Sequence, residues 1–224
     1  MRFGQGPDGE LYISSKKSGV VYLVTNSLPP SALCNGLPAT VSGVTGTDGD
    51  DVIIGTDGPD VIVGYGGDDV ICGLGGDDVI EAGRGDDVVY GGDGDDKLYG
   101  RNGVDTLWGG KGADLVSGGP GWDVMYGGTG ADTMRGAGGV DQMWGNGGSD
   151  LMQGGRGKDV INGGGGADTI EGNGGQDTLN GGGGRDSIKG GQGKDVFNGG
   201  NGSDACSATD QRWVEVRVSC ERAL

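Results

Sequence analysis

Histidine is absent from these 224 residues, which removes the commonest general base and the commonest transition-metal ligand. Aromatic residues make up 5% and the whole hydrophobic set 33%, too little for a thick globular core. No stretch approaches the ~18 apolar residues that a membrane-spanning helix needs. Basic residues are few, 16 against 33 acidic ones, and the resulting net charge of −17 repels nucleic-acid phosphate. Glycine is what remains in excess: 58 residues, about a quarter of the chain, where roughly 7% is ordinary. Such a composition fits a disordered chain or a thin repetitive solenoid, and residue order separates the two.

The order is periodic. An aspartate recurs every nine residues at Asp51, Asp60, Asp69, Asp78, Asp87, Asp96, Asp105, Asp114, Asp123, Asp132, Asp141, Asp150, Asp159, Asp168, Asp177, Asp186, Asp195 and Asp204. Two residues before each of the 18 stands a glycine, and two after it an apolar residue, from Ile53 to Phe197 and Cys206. The first position of the unit is glycine in 17 of 18 copies, Ala82 being the exception. Written out, the unit is GGxGxDxUx, with U apolar, and it fills Gly46 to Ser207, 162 residues without an insertion.

This nonapeptide resembles the calcium-binding repeat of the RTX parallel β-roll family. The resemblance implies an all-β fold, a parallel β-roll (β-solenoid). Each unit divides into a glycine-rich turn and a short x-U-x strand with U pointing inward. Two units make one 18-residue coil, so the array gives about nine coils, roughly 43 Å long at about 4.8 Å per coil. Small N- and C-terminal caps are expected at residues 1–45 and 208–224, on either side of the roll at 46–207.

A core one side chain thick cannot fold the chain alone, and stacked aspartates about 4.8 Å apart repel by roughly 3–4 kcal/mol at an effective dielectric near 20. Calcium reverses that sign, being a hard cation that takes six to eight oxygens, whereas magnesium demands a tighter octahedron. The resemblance implies ions between turns of adjacent coils, Asp51 sharing with Asp69 and Asp60 with Asp78, so all 18 aspartates are candidate metal ligands for at most about 16 ions. Asp50, Asp68, Asp77, Asp86 and Asp95 add acid early, whereas Lys158, Arg185 and Lys194 stand at that position later. Affinity is therefore expected to fall toward the C-terminus.

Outside the repeat, Leu11-Tyr12-Ile13 and Val20 to Val24 read as a hairpin, and Ser27 to Ala39, with three prolines, as a linker. Residues 1–25 resemble the closing strands of secreted sugar-dehydrogenase-like β-propellers, which would make the chain the tail of a longer secreted protein; the plainer expectation is a cap on the first coil. Met1 opens no signal-peptide pattern. Four cysteines in a calcium-binding chain point to an oxidising, extracellular setting. Cys206 occupies the last inward position, and the strand through Val214, Val216, Val218 and Cys220 is expected to plug the open end with a Cys206–Cys220 disulfide. Cys34–Cys72 is then the remaining pair. Zinc is the competing reading, but none of the spacings is metal-like.

Positions 18 apart share a sheet. One outward row runs Ile54, Cys72, Tyr90, Trp108, Tyr126, Trp144, Asn162, Asn180, Asn198 beside a valine-rich row, while the opposite sheet is ordinarily polar. Tyr90, Trp108, Tyr126 and Trp144 are a candidate interaction surface, for another copy, a neighbouring domain, the N-terminal segment or a sugar; alternatively they only favour strands and stack on one another. Ice binding would need a flat threonine array, and these rows carry only Thr106 and Thr178. No catalytic residues are expected: the aspartates are committed to a lattice and no serine has a nucleophile's surroundings. The leading expectation is a secreted calcium-dependent structural module, with calcium the one cofactor and no nucleic-acid partner. The alternatives are a self-assembling or ligand-binding extracellular protein, or a non-catalytic tail of a secreted enzyme.

Overall fold

The computed structural model describes residues 33–40, 43–207 and 220, and the backbone of the strands Arg2–Gln5, Leu11–Ser14, Val21–Val24, Val216–Val218 and Glu221–Arg222. From Val52 onward, strands of two to seven residues form two ten-stranded parallel sheets, with glycine-rich turns between them through the repeats. One sheet contains Val52–Ile54, Val70–Gly75, Val88–Asp93, Thr106–Lys111, Val124–Thr129 and their successors to Val216–Val218. The other contains Val61–Gly66, Val79–Arg84, Lys97–Asn102 and their successors to Glu221–Arg222. The register shift is 18 residues throughout the repeats, as in Val88 against Val70 and Lys97 against Val79. The protein is an all-β parallel solenoid of about nine turns.

The alternation of side chains decides what lies inside. U residues from both sheets form a single file from Ile53 to Cys206, each at most 1% exposed. Glycine at the next inward position lets the two sheets approach without a second side chain between them. Four methionines, Met125, Met134, Met143 and Met152, fill the middle of the file, where an unbranched chain adapts to a narrow space.

At the N-terminal end, Leu11–Ser14 pairs antiparallel with Val21–Val24, and Arg2–Gln5 adds a third strand. The segment expected to be a linker contains a second small hairpin, Leu33–Cys34 with Leu37–Pro38. Its turn is Asn35-Gly36, both at positive φ (48° and 79°), the arrangement a two-residue hairpin turn requires. Thr40 then exchanges hydrogen bonds with Val52, its N–H donating to the Val52 carbonyl and its hydroxyl accepting from the Val52 N–H. A disulfide joins Cys34 to Cys72.

A second disulfide joins Cys206 to Cys220. The C-terminal strand stacks on the last coil of the roll, where Cys220 packs against the core file. It continues the stack, with Val216–Val218 parallel to Val196–Gly202 and Arg217 in register with the inward Phe197. Val214 lies outside the described residues.

Candidate metal centre

All 18 predicted aspartates take the sixth position of their turns, in two columns of nine along the two edges of the roll. Glycines admit the turn that puts them there. The second residue of the turn is left-handed from the third repeat on, at φ 74° for Tyr65 and 82° for Leu74. The aspartate side chain consequently turns in under the strand ends and is buried, at 2% exposure or less from Asp69 to Asp204.

The columns are tied by a ladder. The main-chain N–H of each aspartate donates to the Oδ1 of the aspartate one coil on, from Asp51 to Asp69 at 2.9 Å through Asp186 to Asp204 at 3.0 Å. Sequence reasoning, treating neighbouring carboxylates as bare repelling charges, missed this role for one of the two oxygens. The other is left over. Sixteen aspartates, Asp69 to Asp204, have a buried Oδ2 with no hydrogen-bond partner. Each orphan oxygen costs about 1–3 kcal/mol, and more if charged, so sixteen of them require a compensating cation or proton.

What faces these oxygens is informative. A Cβ built on Gly64, Gly73 or Gly91 would strike both the Oδ2 of Asp69, Asp78 or Asp96 in the same turn and the carbonyl of Ala82, Gly91 or Gly109 one coil on. Carboxylate and carbonyl oxygen thus converge on one small space that glycine leaves free. Among the described residues no three acidic or cysteine side chains cluster tightly enough to hold a metal by themselves. Main-chain carbonyls would therefore have to supply much of the coordination, and a mixed carboxylate–carbonyl oxygen set suits a hard, high-coordination cation.

Burial sets the electrostatics. Desolvation pushes the carboxyl groups of Asp69, Asp105, Asp114, Asp141 and Asp177 up to about 7, against the pull of the N–H bond each receives. The same cause raises Asp78, Asp87, Asp123 and Asp168 to about 6. Neighbouring aspartates of the column add to the rise at Asp69 and Asp78.

Asp51 and Asp60 are different. Their Oδ2 atoms accept from the N–H and the hydroxyl of Thr47 and Thr56 respectively, at 2.6 and 2.9 Å in both turns. The signal was legible as threonine in place of glycine or a left-handed residue at the second position of these two units alone.

The family described as RTX calcium-binding nonapeptide repeat (4 copies) matches at residues 45–80, 73–107, 99–134, 117–152, 135–170, 144–179 and 171–205. The chain belongs to this RTX repeat family. The matched RTX span begins at residue 45 and does not reach the propeller-like stretch at 1–25. No curated protein matches the chain. Among solved structures, a hyperactive, Ca2+-dependent, beta-helical antifreeze protein from an Antarctic bacterium is similar at 17% identity, covering 83% of each chain with a TM-score of 0.29. So loose an overlay supports no argument about this RTX chain.

The outward rows stand as the register requires. Tyr90, Trp108, Tyr126 and Trp144 stack nearly parallel, with centroids 4.5, 5.5 and 4.9 Å apart and planes within 13°. Cys34, Cys72 and Val52 form a small buried cluster against which Tyr90 packs at one end. Beyond Trp144 the row continues in asparagines, Asn180 donating to Asn162. All four rings are half-buried, their faces largely taken up by one another.

Proposed function

We propose that the chain is a secreted, non-catalytic structural module whose roll folds when calcium binds along its two turn edges. The observation that carries this reading is the set of sixteen partnerless buried Oδ2 atoms, eleven of which converge with a carbonyl from the next coil. Asp69 through Asp204 would hold the ions, together with first-position carbonyls such as those of Gly91 and Gly109. Bound calcium supplies the positive charge that offsets both the desolvation of these carboxylates and their mutual repulsion. Because the native roll alone presents the paired oxygens, binding adds directly to folding free energy.

Two disulfides agree with an oxidising compartment, and among the described residues no helix is long and apolar enough to cross a membrane. The test is circular dichroism with and without chelator, alongside calcium counting by equilibrium dialysis. Parallel-β signal that appears cooperatively with calcium is expected. Full β structure in excess chelator at neutral pH would refute it.

A further inference from the structure

One turn edge of the roll carries a pattern that the calcium lattice does not use. At its fifth turn position, one residue per coil, the N-terminal third presents Asp50, Asp68 and Asp86, all exposed. The N–H groups of Asp68, Asp86 and Val104 donate to the carboxylate one coil back at 2.8–3.0 Å, which holds the column straight. The middle third replaces acid with bulk apolar side chains in the open: Val104 at 49%, Trp122 at 66% and Val140 at 38% exposure. The last third turns basic, with Lys158 and Lys194 around the neutral Gln176. On the opposite edge the middle coils carry only Ala113, Ala131 and Ser149 at this position. Large exposed apolar side chains in adjacent coils mark a contact surface rather than a solvated turn.

We propose that two copies of this chain pair antiparallel along this edge, about a two-fold axis at Trp122. Trp122 lies in the fifth of the nine coils, so reversing the column sets it against itself. The same operation sets Val104 against the partner's Val140, Asp86 against the partner's Lys158 and Asp50 against the partner's Lys194. The third turn position adds Asp48, Arg84 and Arg156. With them the acidic arm (Asp48, Asp50, Asp68, Asp86, Arg84) has charge −3 and the basic arm (Arg156, Lys158, Lys194) +3. A parallel pairing would place acid on acid. The antiparallel one sets the net-acidic arm on the net-basic arm, with Arg84 against the partner's Arg156 as its like-charged pair, and is the arrangement a closed isologous dimer requires.

The proposal needs a folded roll and nothing more of the calcium reading. A dimer whose folding proved independent of calcium would count against that reading and leave this one standing. Sedimentation velocity in calcium should give a dimer, weakened about tenfold or more by Trp122→Ser. Lys158→Glu with Lys194→Glu should also dissociate it. Mixing that variant with Asp50→Lys/Asp86→Lys should restore a heterodimer, with circular dichroism confirming that each variant is folded. Carbodiimide should link Lys194 to Asp50; within one roll these are eight coils, roughly 38 Å, apart, so the link can form only between copies. A monomer at about 100 μM in calcium would overturn the proposal. So would a dimer that survives Trp122→Ser but is lost on Trp108→Ser in the aromatic sheet.

Discussion

Thr47 closes on Asp51, its N–H 2.6 Å and its hydroxyl 2.9 Å from the Asp51 Oδ2, and Thr56 does the same for Asp60. These two turns need no cation to satisfy their carboxylates. With the Cys34–Cys72 bond beside them, they make the first coil the part of the roll best able to persist without metal. In chelator, amides of residues 46–63 are expected to exchange more slowly than those of coils further along. Thr47→Ala should remove about 1 kcal/mol, or roughly fivefold in protection, from the first turn. Equal exchange across all coils in chelator would contradict this.

The raised carboxyl groups give the metal-free roll an inverted pH response. Asp69, Asp105 and Asp177, held at about 7 when folded, bind protons that an unfolded aspartate near 3.9 has released. Stability from this source is therefore fully present below about pH 4 and is lost as pH rises through 6 to 7. A chelated sample should gain β structure on acidification from pH 7.5 to pH 5, as followed by circular dichroism. Protons and calcium compete for the same oxygens, so apparent calcium affinity should fall over that same interval.

Ala82 is the single first-position residue with a Cβ, and it is fully buried. In the equivalent turns that Cβ would strike the Oδ2 of the local aspartate and a carbonyl of the next coil, so Ala82 obstructs the space facing Asp87. Ala82→Gly is expected to add calcium capacity there, and Gly91→Ala to remove it beside Asp96 at a packing cost of about 1–3 kcal/mol. Isothermal titration of both variants checks the opposite signs.

Much of this was legible because a nine-residue period fixes strand, turn and inward position together, without any need for propensity. Ile53 through Cys206 and all 18 aspartates could be placed from spacing alone. The role of Oδ1 was not legible, since a main-chain N–H reaching across 18 residues leaves no mark on composition. Thr47 and Thr56 stand out in the sequence, but that they close on Asp51 and Asp60 depends on a backbone without the positive φ of Tyr65 and Leu74, which composition does not reveal. The hairpin at Asn35-Gly36 was announced by its own dipeptide and hidden by the prolines around it. Arg217 beside Phe197 depends on where the chain re-enters the sheet after the last repeat, which no repeat specifies.

The disulfides should differ in worth. Cys34–Cys72 closes 38 residues and Cys206–Cys220 only 14. Loop-closure entropy then assigns about 4 kcal/mol to the first and about 3 to the second. Paired serine substitutions, compared by chemical denaturation in calcium, are expected to fall in that order. A greater loss from the C-terminal pair would mean that it is the C-terminal strand, rather than the first coils, that limits stability.

The aromatic column is better placed to stiffen the roll than to bind a sugar. Sugar recognition needs an open ring face, and Trp108 has one face on Tyr90 at 4.5 Å and the other toward Tyr126 at 5.5 Å. At one end of the column Tyr90 packs on the Cys34–Cys72 cluster, and at the other Trp144 is in register with Asn162 of the next coil. Each stacked pair is worth about 0.5–1.5 kcal/mol beyond buried area, so Trp108→Ala, which breaks two, should cost about 1–3 kcal/mol. The loss should appear as a lower denaturation midpoint in calcium, with the number of bound ions unchanged. Tryptophan fluorescence should not respond to soluble glycans, and a saturable change that disappears in Trp108→Ala would reverse this assignment.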